Sequence, residues 1–195
     1  MDERPAAGVI LASGSPRRRE ILGALGIAFE VHPADIDETV LPGEAPLDYV
    51  QRLAHAKAAV VAARHPDHVV IAADTTVVVD GTILGKPVDV DDARAMAQAL
   101  SGRTHHVHTG IAVTCRGMTA VDVETSAVTF VALSAARIEW YVATPEPYDK
   151  AGGYALQGAG TAFVERVDGN VANVIGLPVP LLLQLAATVG QPLVP

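Results

Sequence analysis

Apolar and polar positions switch between two periods along this chain. Residues 8–13, GVILAS, form a short apolar run that Gly14, Ser15 and Pro16 interrupt, and RRREILGALG follows with helical spacing up to Gly26. The pattern predicts a strand, a tight loop and a helix. Residues 28–40 read as a short strand running into an acidic loop, ADIDET, and Pro46 opens a long helical pattern that stops before Pro66. VVIAADTTVVV, residues 69–79, is too continuously apolar and β-branched for an edge strand and reads as a buried central one. Asp80-Gly81 then predicts a hairpin turn before TILGKP.

Residues 89–100 read as a helix entered through acids and left at Ser101-Gly102. Two alternating segments, 104–115 and 119–132, predict an antiparallel pair turned at Arg116-Gly117. Ser134 opens another helix that ends near Pro145. A glycine-rich stretch, KAGGYALQGAG, a strand near 162–167, a loop, and a last helix after Pro178 and Pro180 follow. Strands and helices interleave, and the hairpins exclude a purely parallel sheet. The expected class is α/β, a mixed twisted sheet flanked by helices, in a single domain over 1–195.

Composition narrows the function. Half of the 195 residues are hydrophobic, enough for a sizeable core in one domain or two small lobes. Charged residues are 18%, against roughly 25% in an ordinary globular protein, and the net charge is −8. That balance argues against an extended nucleic-acid surface. The single Cys115 forms no intrachain disulfide, sits in an apolar stretch, and fits a reducing compartment. The opening MDERPAAGVILASGS resembles no signal peptide, and no apolar stretch reaches membrane-span length. The expectation is a cytoplasmic protein with neither nucleic-acid nor membrane partners. Of 14 basic residues only three are lysines, Lys57, Lys86 and Lys150. Arg offers a planar fork and Lys a compact point charge, so scarce lysines mark positions worth testing.

Ser15 suits a helix N-cap and Pro16 the first helical position, which puts Arg17 and Arg18 in the first turn. Cations there oppose the helix dipole unless an anion bridges them. A phosphate held by Ser13, Ser15, the arginines and free amides would remove the conflict; arginines fanned into solvent are the competing interpretation. Asp74 interrupts the apolar central strand, and a buried carboxylate is costly unless paired, protonated or holding a metal. Asp35, Asp37 and Glu38 offer further oxygen ligands for Mg²⁺ or Mn²⁺, with a solvated acidic loop as the alternative for the two aspartates. GTILGKP is no P-loop: it is one residue short, follows a turn, and has Pro87 where a metal-binding hydroxyl is required. Lys86 is still placed to reach a phosphate. His105, His106 and His108 lack a clear third ligand partner for a metal and read as surface strand histidines. With no G-x-S-x-G, H-E-x-x-H or CxxC, covalent Ser or Cys catalysis has no support.

Taken jointly, LASGSPRRREIL (11–22), ADTTVVVDGTILGKP (73–87), SGRTHHVHTG (101–110), YDKAGGYALQG (148–158) and GLP (176–178) resemble the Maf family of nucleoside triphosphate pyrophosphatases. The resemblance implies a fold related to the inosine triphosphate pyrophosphatases, two lobes with a nucleotide cleft, and a homodimer. It also implies hydrolysis of the α–β phosphoanhydride to a nucleoside monophosphate and pyrophosphate, with a divalent metal. It makes Asp74 the proton acceptor and a metal ligand with Glu38, and sets Ser13, Arg18, Lys57, Lys86 and Lys150 around the triphosphate. Arg17, Thr75 and Gln157 resemble the branch acting on dTTP and UTP, including modified pyrimidine nucleotides. The branch acting on 7-methylguanosine triphosphate is the alternative specificity. A regulatory nucleotide-binding role in cell division and septum formation is the alternative function. Asn170-Val171 departs from the aromatic residue that the family places before GLP.

Overall fold

The computed structural model describes residues 7–195; the opening MDERPA, part of the stretch read as no signal peptide, lies outside them. In chain order the elements are β1 (Val9–Leu11), α1 (Pro16–Ala24), β2 (Phe29–Val31), α2 (Pro46–Ala62), β3 (Val69–Val79) and β4 (Thr82–Leu84). Next come α3 (Val90–Leu100), β5 (Thr104–Cys115), β6 (Met118–Phe130), α4 (Ala135–Val142), β7 (Val164–Asp168), α5 (Val171–Ile175) and α6 (Val179–Thr188). Seven strands form one mixed sheet in the order β2-β1-β3-β5-β6-β7, with β4 on β3. β1 is parallel to β2 and to β3, whereas β4 is antiparallel to β3 and β7 to β6. The expected α/β class with a mixed sheet and flanking helices is what the chain adopts.

The two hairpins turn at the predicted dipeptides. Asp80 and Gly81 have φ of 49° and 77°, and Arg116 and Gly117 have 49° and 80°. Two successive residues in the left-handed region match the right-handed twist of the strands they join.

The chain divides into two compact units. Among the described residues the first comprises 7–74, 110–123 and 176–195, and the second 75–109 and 124–175. In the first unit the period-two alternation of the strands sorts side chains onto two faces. Leu11, Ile71, Ala73, Ile111 and Val113 pack with Leu22 of α1 and with Leu182, Leu185 and Ala186 of α6. Ile10, Ala12, Val70, Ala72 and Ala112 pack with Ala54, Ala58 and Val61 of α2. At Gly110 the backbone of α2 comes so close that a Cβ would lie 2.4 Å from the Val50 carbonyl oxygen. In the second unit Val77, Val107, Val128 and Phe130 pack with Tyr141, Tyr154 and Phe163, while α3 and α4 pair through Ala93, Ala97, Ile138 and Val142.

Three details depart from the sequence pattern. The loop expected before the last helix contains α5, a five-residue helix too short to display a period. Asn170 starts it, its Oδ1 accepting the Ala172 amide at 2.9 Å. Ser15 takes the N-cap position of α1 without capping it through its side chain. His105 and His108 are not surface histidines: both are buried, His105 bonded to the Tyr154 hydroxyl at 2.8 Å and His108 to Thr125 at 2.8 Å. His105 and His108 lie on opposite faces of β5 and both faces are covered, which an alternating pattern does not foretell. Cys115 is buried as expected.

Candidate functional site

α2 carries its buried residues at Val50, Leu53, Ala54, Lys57, Ala58 and Val61, the spacing of one helical stripe. Lys57 is therefore a cation on the apolar face of a helix. β3 presents Asp74 two positions beyond Ala72, on the sheet face that α2 covers. The two meet: Lys57 Nζ lies 2.6 Å from Asp74 Oδ1. The same ammonium lies 2.7 Å from Glu38 Oε1, so one lysine bridges two carboxylates. Lys57 and Asp74 side chains are 9% and 11% exposed, Glu38 half exposed.

Burial pushes the Asp74 carboxyl above the usual aspartate range, and Lys57 and then Arg18 pull against that shift while Glu38 adds to it. Desolvation dominates because the ammonium neutralises only part of what lost water would have supplied.

The acidic loop is tied to α2 at three further points. The Tyr49 hydroxyl donates to the Glu38 carbonyl at 3.0 Å, Arg52 Nη2 donates to the Thr39 carbonyl at 3.1 Å, and Arg52 holds Glu44 through Nε and Nη2 at 2.5 and 2.7 Å. Burial, with the charges of Asp74 and Glu38, raises the Tyr49 phenol to about 12. Arg52 holds the Glu44 carboxyl down at about 2. Asp35 and Asp37 stay exposed, Asp37 Oδ1 accepting the Thr39 amide at 2.9 Å.

Ser13, buried at the end of β1, accepts Arg18 Nη1 at 3.0 Å and the Ser15 amide at 3.3 Å. Arg18 Nε donates to the Gly176 carbonyl at 2.8 Å. The GLP block thus anchors an arginine 158 positions earlier in the chain. Arg17, half-buried beside it, completes the first turn of α1, which holds no acid. Ser13, Arg18, Glu38, Lys57 and Asp74 are assembled within the first unit.

The other candidates belong to the second unit. Thr75 Oγ1 is 2.9 Å from Thr109 Oγ1, and Thr109 donates to the Asn173 carbonyl at 2.9 Å. Lys86 is exposed after β4. The preceding Gly85 carbonyl accepts the Gly152 amide at 2.9 Å, and Gly152, at φ 68°, leaves no room for a Cβ beside Val77. Lys150 donates to the Glu146 carbonyl at 2.7 Å and pairs with Asp149. Gln157 is exposed.

Tyr49, Arg52, Glu146 and Asn173 were not singled out from sequence. For Lys57 a signal was present, a charge at i+3 and i+4 spacing within an apolar stripe. For the rest the signal was absent, because each acts on a distant backbone group.

Residues 8–189 match the family described as Maf-like protein. The chain belongs to the Maf family. Among its curated relatives is a dTTP/UTP pyrophosphatase of Anaeromyxobacter dehalogenans, 53% identical over 96% of this chain and 97% of that one. One from Myxococcus xanthus is 51% identical over 95% and 94%, and one from Bacillus cereus 44% over 90% and 92%, both named dTTP/UTP pyrophosphatase. The solved Ham1 protein of Staphylococcus aureus aligns with 63% of this Maf chain and 71% of its own, at 15% identity and TM-score 0.46. Among the described residues no helix is long and apolar enough to cross a membrane.

Proposed function

We propose that this Maf chain hydrolyses nucleoside triphosphates, with dTTP and UTP preferred, at the α–β phosphoanhydride to yield a nucleoside monophosphate and pyrophosphate. The observation that carries it is the Asp74–Lys57–Glu38 bridge, built on a buried Asp74–Lys57 pair, in a chain whose relatives at 44–53% identity are named for that activity.

Asp74 accepts the proton of the attacking water, and the raised affinity that burial gives its carboxylate suits a base working nearer neutrality. Water adds across the anhydride, the proton passes to Asp74, and pyrophosphate leaves with the bridging electrons. Lys57 orients the Asp74 carboxylate through a 2.6 Å bond and places a positive charge beside the phosphates. Ser13 and Arg18 form an anion seat at the head of α1. Lys86 and Lys150 contribute further charge to the triphosphate. Arg17, Thr75 and Gln157 select the base, the Gln157 amide offering a paired donor and acceptor to a pyrimidine edge.

Two carboxylates are too few for an all-protein metal cage, and among the described residues no group of three or more His, Cys, Asp and Glu side chains is arranged to hold a metal ion. They do fit Mg²⁺ or Mn²⁺, which take one or two carboxylates and complete their shell with water and phosphate. Glu38 and Asp74 would hold that cation, which when bound neutralises phosphate charge. A cytoplasmic enzyme with a free nucleotide as its partner fits the buried, unpaired Cys115.

The test is incubation with dTTP, UTP, CTP, GTP and 7-methyl-GTP in Mg²⁺ or Mn²⁺ and identification of products. Monophosphate and pyrophosphate, fastest from dTTP and UTP, are expected. Orthophosphate and a diphosphate overturn the reaction; preference for 7-methyl-GTP overturns the specificity alone.

A further inference from the structure

Away from Asp74, one acidic side chain organises much of the second unit. Glu146 opens a 3₁₀ turn, Glu146–Asp149. Its Oε1 accepts the Tyr141 hydroxyl at 3.0 Å and the Gly160 amide at 2.9 Å, and its Oε2 accepts the Ala159 amide at 2.7 Å. Its backbone carbonyl accepts Lys150 Nζ at 2.7 Å. One residue thus grips the segment just after Gln157 with its side chain, and Lys150 with its main chain.

The grip depends on close approach. A Cβ at Gly158 would lie 2.3 Å from Glu146 Oε2, and one at Gly160 would lie 2.7 Å from the Ala155 carbonyl. The glycines of QGAG therefore let a carboxylate reach two consecutive amides. Bonds from amides to an ionised carboxylate are shorter and stronger than neutral ones, which suits a clamp on the first amides of the short 3₁₀ helix Ala159–Phe163 that follows Gln157 and Gly158. Lys150 completes no ion pair with this carboxylate; it binds the carbonyl and Asp149.

We infer that Glu146 is a positioning residue for nucleotide selection, its carboxylate setting the Gln157 loop and its carbonyl setting the Lys150 ammonium. The inference rests on the proposal that Gln157 and Lys150 contact the nucleotide. A side chain that reads a base must be held to within a fraction of an ångström, and an exposed glutamine gains that precision from the backbone beneath it.

The test uses the full chain with Glu146→Gln, which keeps the shape but turns an NH₂ toward amide donors. Tyr141→Phe is a milder second variant that keeps the ring packed on Phe163 at 4.7 Å. Amide exchange at Ala159 and Gly160, measured without nucleotide, is expected to quicken about tenfold in Glu146→Gln, as loss of a charged bond allows. KM for dTTP is expected to rise about tenfold with kcat changed by less than about twofold, and Tyr141→Phe to move both readouts less in the same direction. Adding Gln157→Ala to Glu146→Gln is expected to cost little beyond Gln157→Ala alone, since both act through one contact. Unchanged exchange at the two amides, unchanged KM, or multiplying effects in the double variant would overturn the inference. Wild-type protein that leaves dTTP and UTP intact overturns the proposed function, and with it the nucleotide part of this one, whereas the exchange experiment judges the clamp by itself.

Discussion

Lys57 Nζ lies 2.6 Å from Asp74 Oδ1, each side chain about one-tenth exposed, and the helix and strand that carry them are held together by an apolar face. A charge pair so placed is oriented by its surroundings more than by its own attraction. Lys57 sits on the stripe Val50, Leu53, Ala54, Ala58, Val61, and Asp74 follows Val70 and Ala72 on one sheet face.

Replacing Asp74 with Asn keeps the shape and one acceptor for Lys57 while removing the proton acceptor. Turnover is expected to fall by about 10²–10⁴-fold, the usual worth of a general base, with the thermal midpoint within a few degrees of wild type. Steady-state rates and a melting curve check this, and near-normal turnover removes Asp74 from its role.

The acid limb of kcat/KM follows Asp74. Its folded-state affinity for a proton is raised by burial, so activity is expected to rise with pH through a midpoint above the ordinary aspartate value of 3.8. Lys57 opposes that shift, so Lys57→Met should move the midpoint further up and Lys57→Arg should keep it near wild type while lowering kcat, because a planar fork does not fit between two carboxylates as a point charge does. The sign for stability is the reverse of a salt-bridged acid: the native state binds the Asp74 proton more tightly than the unfolded chain, so this group's contribution declines as pH rises from 3.8 through the folded value.

His105 supplies a pH dependence of opposite sense. Burial lowers its ring to about 4 from 6.5. The native state holds it neutral while the unfolded chain takes a proton, so stability is expected to fall by up to about 1.4 kcal/mol per pH unit as pH drops from 6.5 toward 4. Urea denaturation at several pH values should show the slope, and His105→Gln should flatten it.

Gly110→Ala tests the seat of α2. A methyl group 2.4 Å from the Val50 carbonyl must push the helix away, and a loss of about 1–3 kcal/mol is expected, as overpacking typically costs. Because the same helix carries Lys57, kcat should fall as well; a variant with wild-type stability and rate would show that the helix can shift freely.

Element types, the two hairpin turns and the interleaved order were legible in the sequence because they rest on local rules: period, proline, and glycine at positive φ. Asp74 stood out for the same reason, one acid in an apolar strand. Five separated blocks together also specified the family, which the match over residues 8–189 bears out. What tertiary structure alone decided is which acid of ADIDET meets Lys57, that Gly176 receives Arg18, that His105 and His108 turn inward, and that Glu146 closes on the amides after Gly158. Each of these joins residues 13 to 158 positions apart, often through a backbone group that every residue possesses. A carbonyl or amide leaves no trace in side-chain pattern, so its partner is chosen by how helices and strands pack.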